Sequence, residues 1–105
     1  MATLPVYELA NLDGELVSSP QTEGALICFI KEDCPTCKEV MPVLDAFFRQ
    51  YGERMPVQVI GQTQTGNAAL AAAFAPAFSI LDDSALHVSF AANIETVPTL
   101  VRTDA

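Results

Sequence analysis

Hydrophobic and polar positions follow two periods along this chain, and the switches between them mark out its elements. Val6–Leu9 and Glu15–Val17 flank Asn11-Leu12-Asp13-Gly14, which reads as a small hairpin with Asp13-Gly14 at the turn. Ser18–Gly24 is a polar loop containing Pro20. Ala25–Lys31 is a continuous apolar run with an Ile-Cys-Phe-Ile centre, the pattern of a strand buried on both faces. From Cys34-Pro35 the period lengthens. Val40, Met41, Leu44, Phe47, Phe48 and Tyr51 recur at three- and four-residue steps, which predicts a helix with one apolar face. Pro35 suits its first turn, where a missing N–H costs nothing. Pro42 lies inside the pattern and is expected to kink it, and Gly52 marks the stop.

The second half continues the alternation. Val57–Ile60 reads as a strand ending at Gly61, followed by a polar, turn-rich Gln62–Asn67. Ala68–Ala75 is an alanine-rich helix closed before Pro76. Phe78–Leu81 is a short strand with Asp82-Asp83 as its polar exit, Ala85–Ala92 a short helix, and Val97–Val101 a last strand interrupted by Pro98. Phe47, Phe48, Phe74, Phe78 and Phe90 are assigned to the core. A hairpin followed by β-α-β-α-β-α-β implies an α/β layered fold with parallel pairing in its sheet.

Composition narrows the function. The 105 residues, half of them hydrophobic and 17% charged, suit one domain, 1–105, and exclude a disordered chain. A net charge of −8 argues against nucleic acid and against an anionic membrane surface as partners. No apolar run approaches the roughly 20 residues needed to span a bilayer. The N-terminus lacks the basic start and apolar stretch of a signal peptide, and either the cytoplasm or a bacterial periplasm remains open.

Three cysteines are too few, and odd in number, for a disulfide scaffold. Two of them form Cys34-Pro35-Thr36-Cys37, where the buried strand gives way to the helix. A sulfur at a helix N-terminus meets free N–H groups and the positive end of the dipole, which lower its pKa. Cys34 is therefore expected to attack and Cys37, one turn further in, to resolve. Two intervening residues allow the sulfurs to bridge with little backbone movement. A structural zinc site is the alternative reading of the spacing, but its remaining ligands would have to be Cys28, in the apolar strand, and His87, alone on a helix. A pair of inert buried cysteines is the third reading. His87 is otherwise read as a helix-surface or half-buried residue.

At these residues the sequence resembles the thioredoxin superfamily, and within it the TlpA-like thiol–disulfide proteins. Cys34-Pro35-Thr36-Cys37-Lys38 resembles the active-site segment, Pro42 the helix proline, and Val97-Pro98-Thr99 the cis-proline segment that faces the cysteines. The Leu12-Asp13-Gly14 hairpin and the Gly66–Ala75 insert, leading to Ile80-Leu81-Asp82, look TlpA-like. The resemblance implies a three-layer thioredoxin fold with a central mixed sheet and an N-terminal hairpin. It implies a thiol–disulfide oxidoreductase with catalytic Cys34 and Cys37, and a substrate surface at Pro35, Thr36, Val97 and Pro98. It needs no dissociable cofactor and no metal. Its partners would be a protein disulfide and an upstream redox protein.

The chain departs from the family in three places. Lys31-Glu32-Asp33 replaces the usual tryptophan lead-in, and its carboxylates are expected to oppose ionisation of Cys34 and hold the couple toward the reducing end. Cys28 stands where the family has a buried acid that serves the second cysteine; Glu39 is a possible substitute, and Cys28 itself reads as a small core hydrophobe. The family's last strand and helix have no counterpart before Ala105, so the domain reads as C-terminally truncated, with Thr99–Arg102 an edge open to self-association. A peroxiredoxin would need threonine where Lys31 stands. A redox-sensing or protein-binding module of the same fold, without turnover, is the alternative from another class.

Overall fold

A computed structural model describes residues 5–20 and 23–104, with the side chains of Glu23 and Asp104 outside the description. The elements run β1 (Glu8–Ala10), β2 (Leu16–Ser18), β3 (Glu23–Ile30), α1 (Pro35–Tyr51), β4 (Val57–Gly61), α2 (Gln64–Phe74), β5 (Ile80–Asp82), α3 (His87–Ala91) and β6 (Thr99–Asp104). This is the expected order. β1 and β2 pair antiparallel as a separate hairpin, whose turn is closed by Gly14 in the left-handed region and by Asn11, whose Oδ1 accepts from the N–H groups of Asp13 and Glu15. The main sheet has the order β5-β4-β3-β6, parallel at β3/β4 and β4/β5 and antiparallel at β3/β6. Gln21 and Thr22 of the expected Ser18–Gly24 loop lie outside the described residues.

Side-chain alternation in the strands divides the core between two faces. Cys28 and Ile30 of β3, Val59 and Ile80 pack with Cys37, Met41 and Leu44 of α1 and Leu70 of α2. Ile27 and Phe29 of β3, Ile60 and Leu81 pack on the other face with Tyr7 ahead of the hairpin, and with Val88 and Ala92 at α3. The result is a mixed sheet between a layer of α1 and α2 and a layer of α3 and the hairpin. Tyr7 fixes the hairpin to the sheet: its hydroxyl donates to Gln58 Oε1, whose amide donates to the Ser18 carbonyl at 2.9 Å.

Several boundaries differ from those expected. α2 begins at Gln64, so the polar Gln64–Asn67 stretch is its first turn rather than a loop. Asn67 is fully buried there, and its amide donates to the Gly61 carbonyl at 3.2 Å. α3 is only five residues long and turns Val88 inward, which leaves Phe90, two residues on, exposed rather than in the core. Phe78 is buried, while Phe48 and Phe74 pack half-buried against the α1–α2 cluster. Asp83 is not a solvated exit from β5. It is buried, and its carboxylate accepts from Val88 N–H at 3.1 Å, Ser89 N–H at 2.8 Å and Ser89 Oγ at 2.7 Å. Pro98 lies just before β6 rather than within it. β6 is an edge strand, and among the described residues nothing pairs with its outer side. Among the described residues, no helix is long and apolar enough to cross a membrane.

Candidate active site

The end of β3 launches the site. Ile27–Ile30 are fully buried between β4 and β6, and the chain turns immediately afterwards: Cys34 N–H donates to the Lys31 carbonyl at 3.2 Å. Cys34 is the N-cap of α1 and Pro35 its first residue. A sulfur thus occupies the position usually held by a Ser or Asp oxygen. Cys34 Sγ accepts from the Cys37 N–H at 3.3 Å, so one of the orphan donors of the first turn is spent on the thiol.

Across the sequence, 63 residues away, the Val97 carbonyl lies 3.4 Å from the same sulfur. The Val97–Pro98 peptide is cis, and Val97 is half-buried where the clusters on the two faces of the sheet meet. Pro35 and Thr36 are exposed beside Cys34, and Pro98 is half-buried. The structure therefore gathers Cys34, Cys37 and Val97, with Pro35, Thr36 and Pro98 alongside in the chain.

The two thiols differ in acidity. Cys34 is lowered from the ordinary thiol value, first by a hydrogen bond from the Cys37 thiol, then by the Cys37 and Thr36 backbone N–H groups; Asp33 opposes this as the weakest influence. Of the two carboxylates expected to oppose ionisation, Asp33 tempers the acidity of Cys34 without reversing it, while Glu32 is not among the influences on the thiol. Both carboxylates are partly neutralised, since Lys31 lies 3.7 Å from Asp33 and Lys38 4.0 Å from Glu32. Cys37 is fully buried, and burial pushes its thiol up to about 11, although the Lys31 N–H donates to its sulfur at 3.4 Å.

Cys28 is fully buried in the α1–α2 cluster, and burial pushes its thiol up to about 12, with the charge of Cys37 adding to the rise. Glu39, the possible substitute acid, is exposed on α1, and His87 is exposed at the start of α3. Among the described residues no three of His, Cys, Asp and Glu converge as a metal-ligand group. The contribution of Asp83 was missed in the sequence. By binding the start of α3 it fixes the segment that runs on through Ile94 to Val97. No hydropathy signal reveals a buried carboxylate satisfied by backbone; the only clue was an acid followed by Ser89.

Residues 13–104 match the family model described as TraF, F plasmid transfer operon protein. The chain belongs to the TraF family. No curated protein matches it by sequence. Among solved structures, a hypothetical protein from Sinorhizobium meliloti 1021 superposes with a TM-score of 0.80 at 19% identity, covering 98% of this chain and 64% of that one. An uncharacterised conserved protein from Geobacillus kaustophilus gives 0.80 at 20% identity, covering 98% and 62%. This TraF-family chain thus spans less than two thirds of the length of either. A secreted Mycobacterium tuberculosis disulfide oxidoreductase homologous to Escherichia coli DsbE gives 0.74 at 17% identity, covering 94% and 84%. These likenesses establish the thioredoxin fold, and with the TraF match the superfamily resemblance read from the sequence holds.

Proposed function

We propose that this TraF-family chain is a thiol–disulfide oxidoreductase that cycles Cys34 and Cys37 between dithiol and disulfide, acting as a reductase of protein or small-molecule disulfides. The observation that carries the reading is the placement of Cys34 Sγ. It caps α1 at 3.3 Å from the Cys37 N–H and stands 3.4 Å from the carbonyl that precedes cis Pro98. A lowered thiol there is a nucleophile near neutral pH.

The cycle has two exchanges. Cys34 thiolate attacks one sulfur of a substrate disulfide, and the other sulfur leaves as a thiolate. Cys37 gives up its proton and attacks Cys34 Sγ, expelling the second substrate thiolate. The chain loses two electrons and two protons, and the substrate becomes a dithiol. An upstream redox partner must then reduce Cys34–Cys37 again. Exposed Pro35 and Thr36, with Val97 and Pro98, form the docking surface of this reading, in which Val97 offers backbone groups to an extended substrate.

Asp33, the weakest influence on each thiol, opposes ionisation of both and in this reading moves the couple toward the reducing end of a range that runs from about −270 mV for thioredoxin to about −120 mV for the strongest oxidants of the fold. The outer edge of β6 is a further contact surface in this reading, through which two copies would pair strands. A monomer by sedimentation at all concentrations would refute that pairing.

The deciding experiment is a redox titration. The protein is poised in thiol–disulfide buffers, free thiols are alkylated, and labels are counted by mass spectrometry. A reversible two-electron transition confined to Cys34 and Cys37 supports the reading. Thiols that stay labelled, or stay blocked, at every potential would instead favour a binding module without turnover.

A further inference from the structure

The last rungs of the main sheet end on a sulfur. Ile30 of β3, Gly61 of β4 and Asp82 of β5 stand side by side in register. Just beyond that level Asp83 N–H donates to the Gly61 carbonyl at 2.9 Å, and Gln62 N–H donates to the Ile30 carbonyl at 3.1 Å. The pairing of β3 with β6 ends at Phe29 and Thr99. The Lys31 N–H, two residues on, meets Cys37 Sγ at 3.4 Å in place of a strand. The Gly61 carbonyl and the Gln62 N–H belong to one peptide plane, and the Ile30 carbonyl and the Lys31 N–H to another. A planar trans peptide whose carbonyl direction is fixed has its N–H direction fixed as well. Asp83, Gly61–Gln62 and Ile30–Lys31 thus form a run of hydrogen-bonded groups, each polarising the next, that terminates on Cys37.

One side chain feeds this run. Asn67, fully buried in the first turn of α2, donates from Nδ2 to the Gly61 carbonyl at 3.2 Å, alongside the Asp83 N–H. Its Oδ1 lies against Gly61, where a Cβ would fall 1.7 Å away, and has no hydrogen-bond partner among the described residues. A buried oxygen left in that state is costly, and an apolar side chain of the same size would avoid the cost. Packing alone would be served better by leucine, so what asparagine adds here is its donor.

We propose that Asn67 is a positioning residue for Cys37: it holds the Gly61–Gln62 peptide, which holds the Ile30–Lys31 peptide, so that the Lys31 N–H points at the Cys37 sulfur and stabilises its thiolate. The step served is the second exchange of the reading above, on which this role rests. The Cys37 proton goes to water, Cys37 Sγ bonds to Cys34 Sγ, and the substrate sulfur leaves with the electron pair of the broken bond. The titratable groups acting on Cys37 are Cys34, Asp33, itself paired with Lys31, and Cys28 on β3. β4, α2 and β5 meet the same cluster with Val59, Leu70 and Ile80. Burial pushes the Cys37 thiol up to about 11, Cys34 and Asp33 add to the rise, and the Lys31 N–H is the influence that works against it. An N–H that loses its aim leaves the rise unopposed.

The test follows the cysteine Cβ resonances and the Lys31 amide by NMR across pH in the reduced chain. In Asn67→Leu the fraction of Cys37 ionised at a given pH is expected to fall about three- to tenfold, and exchange of the Lys31 amide to accelerate. Ala69→Gly weakens the same helix at an exposed position and should move neither. A purely structural Asn67 would make Asn67→Leu behave like Ala69→Gly. Asn67→Met is the second variant, because a flexible side chain adapts where leucine does not fit. In the wild-type chain the Lys31 amide should exchange more slowly than that of exposed Asp33. Equal rates would overturn the proposal even if neither variant folds, and so would an unmoved Cys37 titration in a folded variant. A mixed disulfide of Cys34 with nitrothiobenzoate reads the second exchange directly. Its release should slow in Asn67→Leu by less than the thiolate falls, since a more basic thiolate attacks faster. Release that proceeds while the titration stays unmoved would overturn the role of Asn67 alone. Release absent in the wild-type chain, with a titration that does move, would overturn the exchange reading and support the placement of Asn67.

Discussion

Gly66, in the first turn of α2, touches the loop that leads into the cysteines: a Cβ on Gly66 would stand 2.5 Å from Glu32 Cβ and 2.2 Å from Thr63 Oγ1. Glu32 is held in turn by Lys38 of α1. Replacing a helical glycine with alanine ordinarily stabilises by about 0.5–1 kcal/mol. Here the sign reverses, because Glu32 Cβ is fixed to the backbone and cannot swing away. Gly66→Ala is expected to cost about 1–3 kcal/mol by overpacking and to slow alkylation of Cys34, as the loop shifts. Urea unfolding and iodoacetamide kinetics check the two parts.

Asp83 tests how the opposite wall of the site is held. Asp83→Ala leaves the Val88 and Ser89 N–H groups buried without their acceptor and is expected to cost about 1–3 kcal/mol. In a domain of this size each kcal/mol lowers Tm by about 4–8 °C. Asp83→Asn, which keeps one oxygen, should lose less. A thermal melt that matches wild type in both variants would show that the carboxylate does not hold α3.

Alkaline pH should weaken the reduced protein. Burial pushes Cys28 to about 12 and Cys37 to about 11, and raises the Tyr7 phenol as well. An unfolded chain releases thiol protons near pH 8.5, so between that value and about 11 to 12 the folded state holds more protons than the unfolded state. Stability from this source is complete below about pH 8.5 and declines as pH rises through the folded values. The urea midpoint is expected to be flat from about pH 6 to 8 and to fall above about pH 9, with Cys28→Ala removing part of the fall.

Asp33 opposes ionisation of Cys34, so Asp33→Asn should move the alkylation profile of Cys34 to lower pH. The same substitution should raise the potential of the couple, because it favours the reduced form. A profile displaced to higher pH would mean that the Lys31–Asp33 pair, rather than the carboxylate alone, governs the thiol.

Gly61 and Asn67 are coupled through a contact with no slack. A Cβ on Gly61 would fall 1.7 Å from Asn67 Oδ1, an oxygen with no hydrogen-bond partner among the described residues, while Asn67 Nδ2 donates to the Gly61 carbonyl. Gly61→Ala and Asn67→Ala should each destabilise, and the double variant should lose less than their sum, by about 0.5–3 kcal/mol in a double-mutant cycle.

What the sequence made legible was whatever rests on periodicity and on local chemistry. The run around Ile27-Cys28-Phe29-Ile30 could only be a strand covered on both sides, and it is the core of β3. Cys34-Pro35 carried a helix start signal, and it opens α1. The errors fall where polar side chains are buried. The polarity of Asn67 made the first turn of α2 look like a loop, and Asp83 read as part of a polar exit, because the Gly61 carbonyl that Asn67 Nδ2 meets and the N–H groups that Asp83 accepts from are brought close only by the folded chain. Phe90 was misplaced for the complementary reason. Its hydrophobicity was clear, but a five-residue helix has one inward face, and Val88 occupies it.

The position of β3 carries a consequence for timing. It is bordered on both sides, and its last four residues are sealed from solvent. Its amides should be among the slowest in the molecule to exchange with deuterium, while α3 and β6 fray first. Cys34 hangs from the end of that slow segment and Val97 from the edge of a faster one. In brief openings of the fold the turn that holds Cys34 would keep its shape while the wall that faces it swings away, which would bare the sulfur without the helix it caps having to melt.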